Sequence, residues 1–415
     1  MMTSSAVNTI RHQCCVVGGG PAGLMLGYLL ARAGIDVVVL EKHKDFLRDF
    51  RGDTIHPSTL ELMKELGVLD EFLQRPHQQL KHFKLKIAGE SITIADFSKI
   101  NAFCQYIAFM PQWDFLDFIA DQANKYPSFH LLMECEAVDI IEEDGKVSGV
   151  KAKTSSGPLN ILADLTIGAD GRNSVLRNRA GFNVQNIGAP MDVIWMRVSK
   201  KPEYSTEYLG HVGQGSILIT LDRGDYWQCA FVIPKGQFEK FKEHGIDYMR
   251  QKMVSKMPSL KDSINEIQDW NDCFLLTVTV DRLKKWWRPG FICIGDAAHA
   301  MSPIGGVGIN LAIQDAVAAA NELVPTLEGG KDVESALAKI QKRREFPTKM
   351  TQNFQVFVQN RIISNVINES DTESIPFPLR VLQTVTLLQR LPAHVIGLGI
   401  RQEHIQTPDI KNVKH

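Results

Sequence analysis

Two glycine-rich turns, one near the start of the chain and one in its last third, and a block of short alternating strands between them predict an α/β fold. The expectation is a Rossmann-type α/β domain, interrupted by an inserted, mostly antiparallel sheet and closed by a helical C-terminus. The first turn is GGGPAG at 18–23. The second follows the apolar strand FICI and reads GDAAHAMSPIGGVGIN, 295–310. The alternating block runs from Gly188 to Val280.

Composition bounds the function. The chain has 415 residues, 44% hydrophobic and 22% charged, which suits a soluble globular enzyme with two large cores. A formal net charge of -1 argues against nucleic acid as a partner and against an acidic solvating tail. The seven cysteines include the adjacent Cys14 and Cys15 but no CxxC pair. That fits a reduced cytoplasmic protein better than a disulfide scaffold or a zinc site, and no metal centre is expected. Residues 14–31 carry no charge and imitate a targeting signal. Gly18, Gly19, Gly20, Pro21 and Gly23 would break any helix there, so no signal or transmembrane segment is expected.

The first strand is QCCVV, ending at Val17. Gly18, Gly20 and Gly23 then fit G-x-G-x-x-G, with Pro21 and Ala22 between them. The helix LMLGYLLARAG follows and stops at Gly34, a C′ glycine. DVVVLEK is the next strand, with Glu41 and Lys42 at its end. Strand, glycine turn, helix, strand and acid form the Rossmann-type dinucleotide arrangement. The glycines admit a pyrophosphate, and Glu41 holds ribose hydroxyls. This pattern does not separate NAD from FAD, and a bare glycine turn is the plainer alternative.

In FRGDTIHPSTLELMKELG, Pro57 opens a helix that ends near Gly67. Arg51 lies in the preceding loop, where a surface salt bridge is the simplest role; His56 reads as a loop residue. Alternation over 81–100 predicts a hairpin turning at Ala88-Gly89-Glu90. A helix starts at Pro111, with Gln112 in its first turn and Trp113, Phe115, Phe118 and Ile119 on its buried side. A second hairpin turns at Asp144-Gly145 and leads to the strand LNILADLTIGAD. GRNSVLRNRAG then begins a short helix with Arg172 and Arg177.

The inserted sheet has the strands VIWMRVS, GSILITL, YWQCAFVIP and FLLTVTV, interrupted by one helical stretch, FEKFKEHGIDYMRQKM. Trp195, Arg197, His211, Tyr226 and Trp227 are candidate pocket walls, with the register left open. In the second turn, Asp296 ends a strand, where a carboxylate can accept bonds from sugar-type hydroxyls. Pro303, Gly305, Gly306, Gly308 and a helix starting near Asn310 offer backbone donors to an anionic ring edge. An ordinary crossover with a helix-capping Asp is the alternative. DVESALAKIQKRREF and TKMTQNFQVFVQNRI read as two helices. The apolar tail that follows has too few arginines for a membrane-facing basic surface. Packing on the body, or on a second subunit as in a homodimer, is the expected outcome.

GGGPAG with Glu41, IGADGRNSVLR, and FICIGDAAHAMSPIGGVGIN stand in a fixed order. Together they resemble the class A flavoprotein monooxygenases, the family of para-hydroxybenzoate hydroxylase, over nearly the whole chain. The resemblance implies noncovalent FAD. Gly18, Gly20 and Gly23 would face its pyrophosphate and Glu41 its adenosine ribose. Arg51 and Gln112 would touch its phosphate or ribityl part. Asp170 belongs to a motif serving both FAD and a transient NAD(P)H. Asp296 would bind the ribityl chain, and Pro303 with the 305–310 loop would lie beside the isoalloxazine. The chemistry implied is hydroxylation of an aromatic, phenolic or quinoid small molecule by NAD(P)H and O2 through a flavin C4a-hydroperoxide, with the protein excluding water and orienting the substrate.

The implied division is an FAD-binding domain over 1–80, 105–187 and 282–350. A substrate domain covers 81–104 and 188–281, and C-terminal helices cover 351–415. Three other readings share the scaffold. A halogenase would carry W-x-W-x-I-P, but residues 229–234 read CAFVIP, without either tryptophan. A flavin-dependent reductase and a non-catalytic binding protein complete the alternatives.

Overall fold

The computed structural model describes residues 7–47, 53–204, 209–213, 215–363, 375 and 377–411. Arg51 lies outside the described residues. An eight-stranded sheet carries a parallel run in the order Phe291–Cys293, Gly157–Gly168, Asn8–Val17, Val37–Leu40, Phe129–Leu132. The apolar ends of these strands are buried on both faces, as a parallel sheet requires. The helix Pro21–Arg32 packs against the helix Gly308–Glu328, so the segments after the two glycine turns lie side by side. Val17 pairs with Gly168, and Gly168 with Cys293. Three strands therefore end in one row, the edge where open α/β sheets hold ligands.

The two hairpins form at the turns read from sequence. Ala88 and Gly89 have φ of 50° and 82°, and Asp144 and Gly145 have φ of 51° and 79°. Two consecutive left-handed residues match the twist of the flanking strands. The first hairpin, His82–Ile87 and Glu90–Asp96, joins a sheet whose other strands all lie between Met191 and Leu276. The order is Phe274–Leu276, Met191–Ser199, Tyr226–Pro234, Ser216–Asp222, Gly210–Gly213, His82–Ile87, Glu90–Asp96.

Register assigns the faces of this seven-stranded sheet. Trp195 pairs with Ala230, and Arg197 with Gln228, so both share a face with Tyr226. That face packs on Ile304 of the second glycine turn. Trp227 points the other way, into a core with Met249 and Met253 of the helix Ile246–Lys256. His211 pairs with Leu218 and lies on Trp227's side. Two of the five candidate wall residues are thus turned from the glycine turn.

Three element readings are corrected. FLLTVTV is extended strand only over Phe274–Leu276. The helical stretch before it splits into Phe238–Glu243 and Ile246–Lys256 at Gly245, whose φ is 79°. The two helices after 332 are one, Val333–Val358, running through Pro347. An interior proline costs about 3 kcal/mol in an isolated helix. Here Arg344, Pro347, Thr348 and Thr351 are buried, and tertiary packing outweighs the local penalty. The apolar tail forms the helices Phe377–Thr384 and Arg390–Gly397. Leu379, Ala393 and Ile396 are buried against the body. Among the described residues, no helix is long and apolar enough to cross a membrane.

Candidate cofactor site

The glycines of the first turn do different jobs. A Cβ on Gly23 would lie 1.9 Å from the Gly18 carbonyl oxygen, so only glycine lets the helix approach the strand. Gly18, at φ 111°, has no room for a Cβ beside the Ala169 carbonyl, 2.4 Å away. A Cβ on Gly20 would meet nothing within 4 Å. Gly20 caps the helix Pro21–Arg32, Pro21 occupies its first turn, and no acid sits there. Open space at the positive end of a helix suits a phosphate. Glu41 lies just beyond Leu40 and accepts from the Gly19 N–H at 3.1 Å and the His43 N–H at 3.0 Å. The carboxylate is therefore held at the turn's rim. Lys42 is exposed.

The three motifs touch. Gly18 abuts Ala169 and Asp170. Gly295, at φ 57°, packs on Ala22, where a Cβ would come within 3.1 Å of the Ala22 side chain. Arg172 reaches Asp296, with 3.3 Å between Nη2 and Oδ2, both side chains about a third exposed. Arg177, buried, donates to the carbonyls of Arg172 at 2.6 Å and Ala297 at 3.3 Å. It thereby ties the second motif to the third. Asp170 spends one oxygen on the N–H groups of Val175 at 2.8 Å and Leu176 at 3.3 Å, capping the short helix Val175–Arg179. Its other oxygen is buried without a partner among the described residues. Burial pushes its carboxyl above the usual range, against the pull of Ser174 and the backbone donors.

The second glycine turn is tied to the segment after residue 52. Thr54 Oγ1 donates to the Gly306 carbonyl at 2.9 Å and occupies the space a Gly306 Cβ would need. The helix opens at Gly308, two residues earlier than its sequence suggested. Asn310 Oδ1 accepts from the His56 N–H at 3.0 Å and Thr59 Oγ1 at 2.7 Å, and its Nδ2 donates to the Thr54 carbonyl at 3.3 Å. Its side chain is thus committed to this cross-link. His56 is fully buried, and burial lowers its pKa to about 4. Pro303 precedes this turn, whose Gly305 has φ 74°. Gln112 is the first residue of the helix Gln112–Ala123. Phe115, Phe118 and Ile119 are buried on it, whereas Trp113 is only half-buried.

Trp113 instead lines a cleft of about 100 Å³ with Pro111, Asp53, Arg197, Arg223, Tyr226 and Gln228. Arg223 is ion-paired with Asp53 and donates to Gln228 Oε1 at 3.1 Å. Burial raises the Asp53 pKa although Arg223 opposes it. Arg197 stacks 3.9 Å above the Tyr226 ring. The sequence reading missed Asp53, Arg223 and Gln228, because the ion pair spans 170 positions and no spacing motif marks it. It also missed a buried charge network of His299, Asp315, Arg344 and Glu403 beneath the second turn. His299 was visible inside GDAAH, but its partners lie in separate helices and the tail.

An open helix N-terminus at a tight glycine turn, a rim carboxylate and Asp296 over the same sheet edge suit a dinucleotide at the end of an α/β sheet. The family described as "FAD binding domain" matches residues 11–354. The chain belongs to this family and is an FAD-dependent monooxygenase of the aromatic hydroxylase type. It is 30% identical over 352 residues to the 6-methylpretetramide 4-monooxygenase of Streptomyces rimosus, covering 84% of each chain. In fold it resembles p-nitrophenol 4-monooxygenase PnpA from Pseudomonas putida DLL-E4, at TM-score 0.75 and 19% identity over 95% of this chain and 100% of that one. It also resembles the flavin-dependent brominase Bmp2, at TM-score 0.74 and 16% identity over 94% of each chain.

Proposed function

We propose that this protein uses NAD(P)H and O2 to place a hydroxyl on an aromatic, phenolic or quinoid small molecule. The observation that carries the reading is the packing of the seven-stranded sheet on Ile304. It brings the face bearing Trp195, Arg197 and Tyr226 over the turn assigned to the flavin ring. In this reading that sheet, over 81–104 and 188–281, is the substrate domain, and the remainder up to 350 binds FAD. Gly18, Gly20 and Gly23 face the pyrophosphate, Glu41 the ribose, Arg51 and Gln112 the phosphate–ribityl region, and Asp296 the ribityl hydroxyls. Bound FAD, once reduced, supplies two-electron activation of O2; one oxygen atom enters the substrate and the other leaves as water. The chain's own contribution is to bind, orient and exclude water. All seven cysteines are unpaired, in keeping with a reducing, cytoplasmic setting.

The relatives' names support an aromatic substrate without identifying one, since 6-methylpretetramide and p-nitrophenol belong to those proteins. Residues 229–234, CAFVIP, lack the halogenase tryptophans. The test is a screen for compounds that accelerate NAD(P)H oxidation, followed by turnover under 18O2. One labelled oxygen should enter the product, and turnover should stop without O2. A product formed anaerobically, or one that gains two hydrogens and no label, would replace this reading with a reductase.

A further inference from the structure

We infer that His12, Asp36 and His130 form a zinc-binding site at the end of the parallel sheet away from the glycine turns. His12 Nδ1 lies 3.0 Å from Asp36 Oδ2, and His130 Nε2 lies 3.1 Å from Asp36 Oδ1. One ligand atom from each residue falls within 4.8 Å of the other two. Tetrahedral zinc, with bonds of about 2.0–2.2 Å to nitrogen and carboxylate oxygen, sets ligand atoms roughly 3.4 Å apart. The side chains therefore need only small torsional adjustments to converge. Cysteine spacing argued against a metal centre, and this one uses no cysteine.

The sheet holds the three residues in place. His12 lies on Asn8–Val17 and His130 on Phe129–Leu132, the strands flanking Val37–Leu40. Asp36 sits directly before that middle strand. Its carbonyl accepts from the Cys14 N–H at 3.0 Å, and the Val37 N–H donates to the Ser128 carbonyl at 2.9 Å. Ligands on adjacent strands are pre-ordered, so binding sacrifices little conformational freedom. The imidazole rings are 4.8 Å apart and tilted by 46°.

Charge points the same way. Among the described residues, no Lys or Arg forms an ion pair with Asp36; its partners are the two imidazoles. The neighbouring Asp164 is different, being paired with Arg11 at 2.9 Å. A carboxylate between two imidazoles, open to solvent on one side, offers two nitrogens, an oxygen and room for a water. That is the donor set of a borderline-soft divalent cation. Gly18 lies six positions beyond His12, roughly 20 Å of strand, so the metal would not touch the reacting groups. Its role would be to staple three neighbouring strands together on the side of the sheet away from the glycine turns.

The probe is Zn2+ titrated calorimetrically into chelator-treated, FAD-loaded protein. Wild type should bind one equivalent, and its melting temperature should rise with saturation. His130→Ala, at a half-exposed position, should bind at least tenfold more weakly and lose the thermal shift. Asp36→Asn, which preserves volume, should do the same. His244→Ala, at an exposed position outside the cluster, should behave as wild type. No zinc uptake by wild type, or equal affinity in His130→Ala, would overturn the site and reduce the cluster to a hydrogen-bonded triad. FAD content and hydroxylation are read separately, so failure of either leaves this result interpretable.

Discussion

Asp315 Oδ2 and His299 Nε2 lie 2.6 Å apart, with both side chains almost wholly removed from water. Arg344 Nε reaches the other oxygen of Asp315 at 2.9 Å, and the Gly295 N–H donates to Oδ2 at 3.1 Å. One buried carboxylate thus holds the turn that carries Asp296. Burial pushes the Asp315 carboxyl up, but His299 and Arg344 outweigh it and hold it below the usual range. Removing one member of such a group strands the others. Asp315→Asn should cost about 3–5 kcal/mol in urea unfolding of the FAD-loaded protein. A loss under about 1 kcal/mol would show that the network does not brace the turn. The pH sign follows from the lowered pKa. The stabilisation is complete above the unfolded value near 3.9 and is lost as pH falls through the folded one.

Gly20 and Gly23 should separate binding from folding. Gly20→Ala puts a methyl into open space at φ -80°, a conformation alanine accepts. The variant should fold with wild-type far-UV circular dichroism but bind FAD at least tenfold more weakly, because in the proposed role the methyl would occupy the phosphate's approach. Gly23→Ala places a methyl 1.9 Å from the Gly18 carbonyl oxygen and should lower stability as well as FAD content. Equal FAD affinity in Gly20→Ala and wild type would remove the pyrophosphate from this turn.

Whether a feature could be read from sequence followed the distance over which its cause acts. Ala88-Gly89 and Asp144-Gly145 were legible because their backbone angles are set by neighbours. So was Pro57 at the start of its helix, where its missing N–H has no intrahelical role. The path of the helix through Pro347 was not, because burial of Arg344 against Asp315 and Glu403 decides it. Nor was the division of Trp195 and Trp227 between two faces, since alternation defines parity but only strand pairing tells which parity meets Ile304. At the site, the glycines and Asp296 carried local signatures. The Asp53–Arg223 pair carried none.

His56 makes a pH prediction. Its Nδ1 lies 2.6 Å from the Ile396 carbonyl oxygen, and the side chain is wholly removed from solvent. Burial lowers its pKa to about 4, against about 6.5 in the unfolded chain. The unfolded state therefore takes up the proton first as pH falls. This contribution to stability is full above about pH 6.5 and declines towards pH 4, by about 2 kcal/mol between pH 7 and 5. His56→Gln cannot titrate, so its stability should fall by about 2 kcal/mol less than wild type over that interval. His211, also lowered to about 4 by burial, remains in both proteins and cancels. Parallel stability profiles for the two proteins would exclude His56 as the titrating group.

Asp296 carries the central assignment. It lies in a turn packed on Ala22, and Arg172 holds its carboxylate from one side at 3.3 Å. About a third of the side chain remains open, leaving lone pairs for hydroxyl donors. If Asp296 binds the ribityl chain as proposed, Asp296→Ala should remove charge-assisted bonds, on the order of 1.5–3 kcal/mol, or roughly ten- to a hundredfold in FAD affinity. The same change frees Arg172, whose partly exposed guanidinium can turn to water, so the fold should lose little. Far-UV circular dichroism should stay near wild type while FAD dissociates more readily on dilution. Arg172→Met provides the control. If Asp296 acts only through its ion pair, Arg172→Met and Asp296→Ala should weaken FAD equally; if Asp296 binds the cofactor itself, Arg172→Met should retain most of the affinity. An Asp296→Ala protein that holds FAD as tightly as wild type would make this carboxylate merely Arg172's partner.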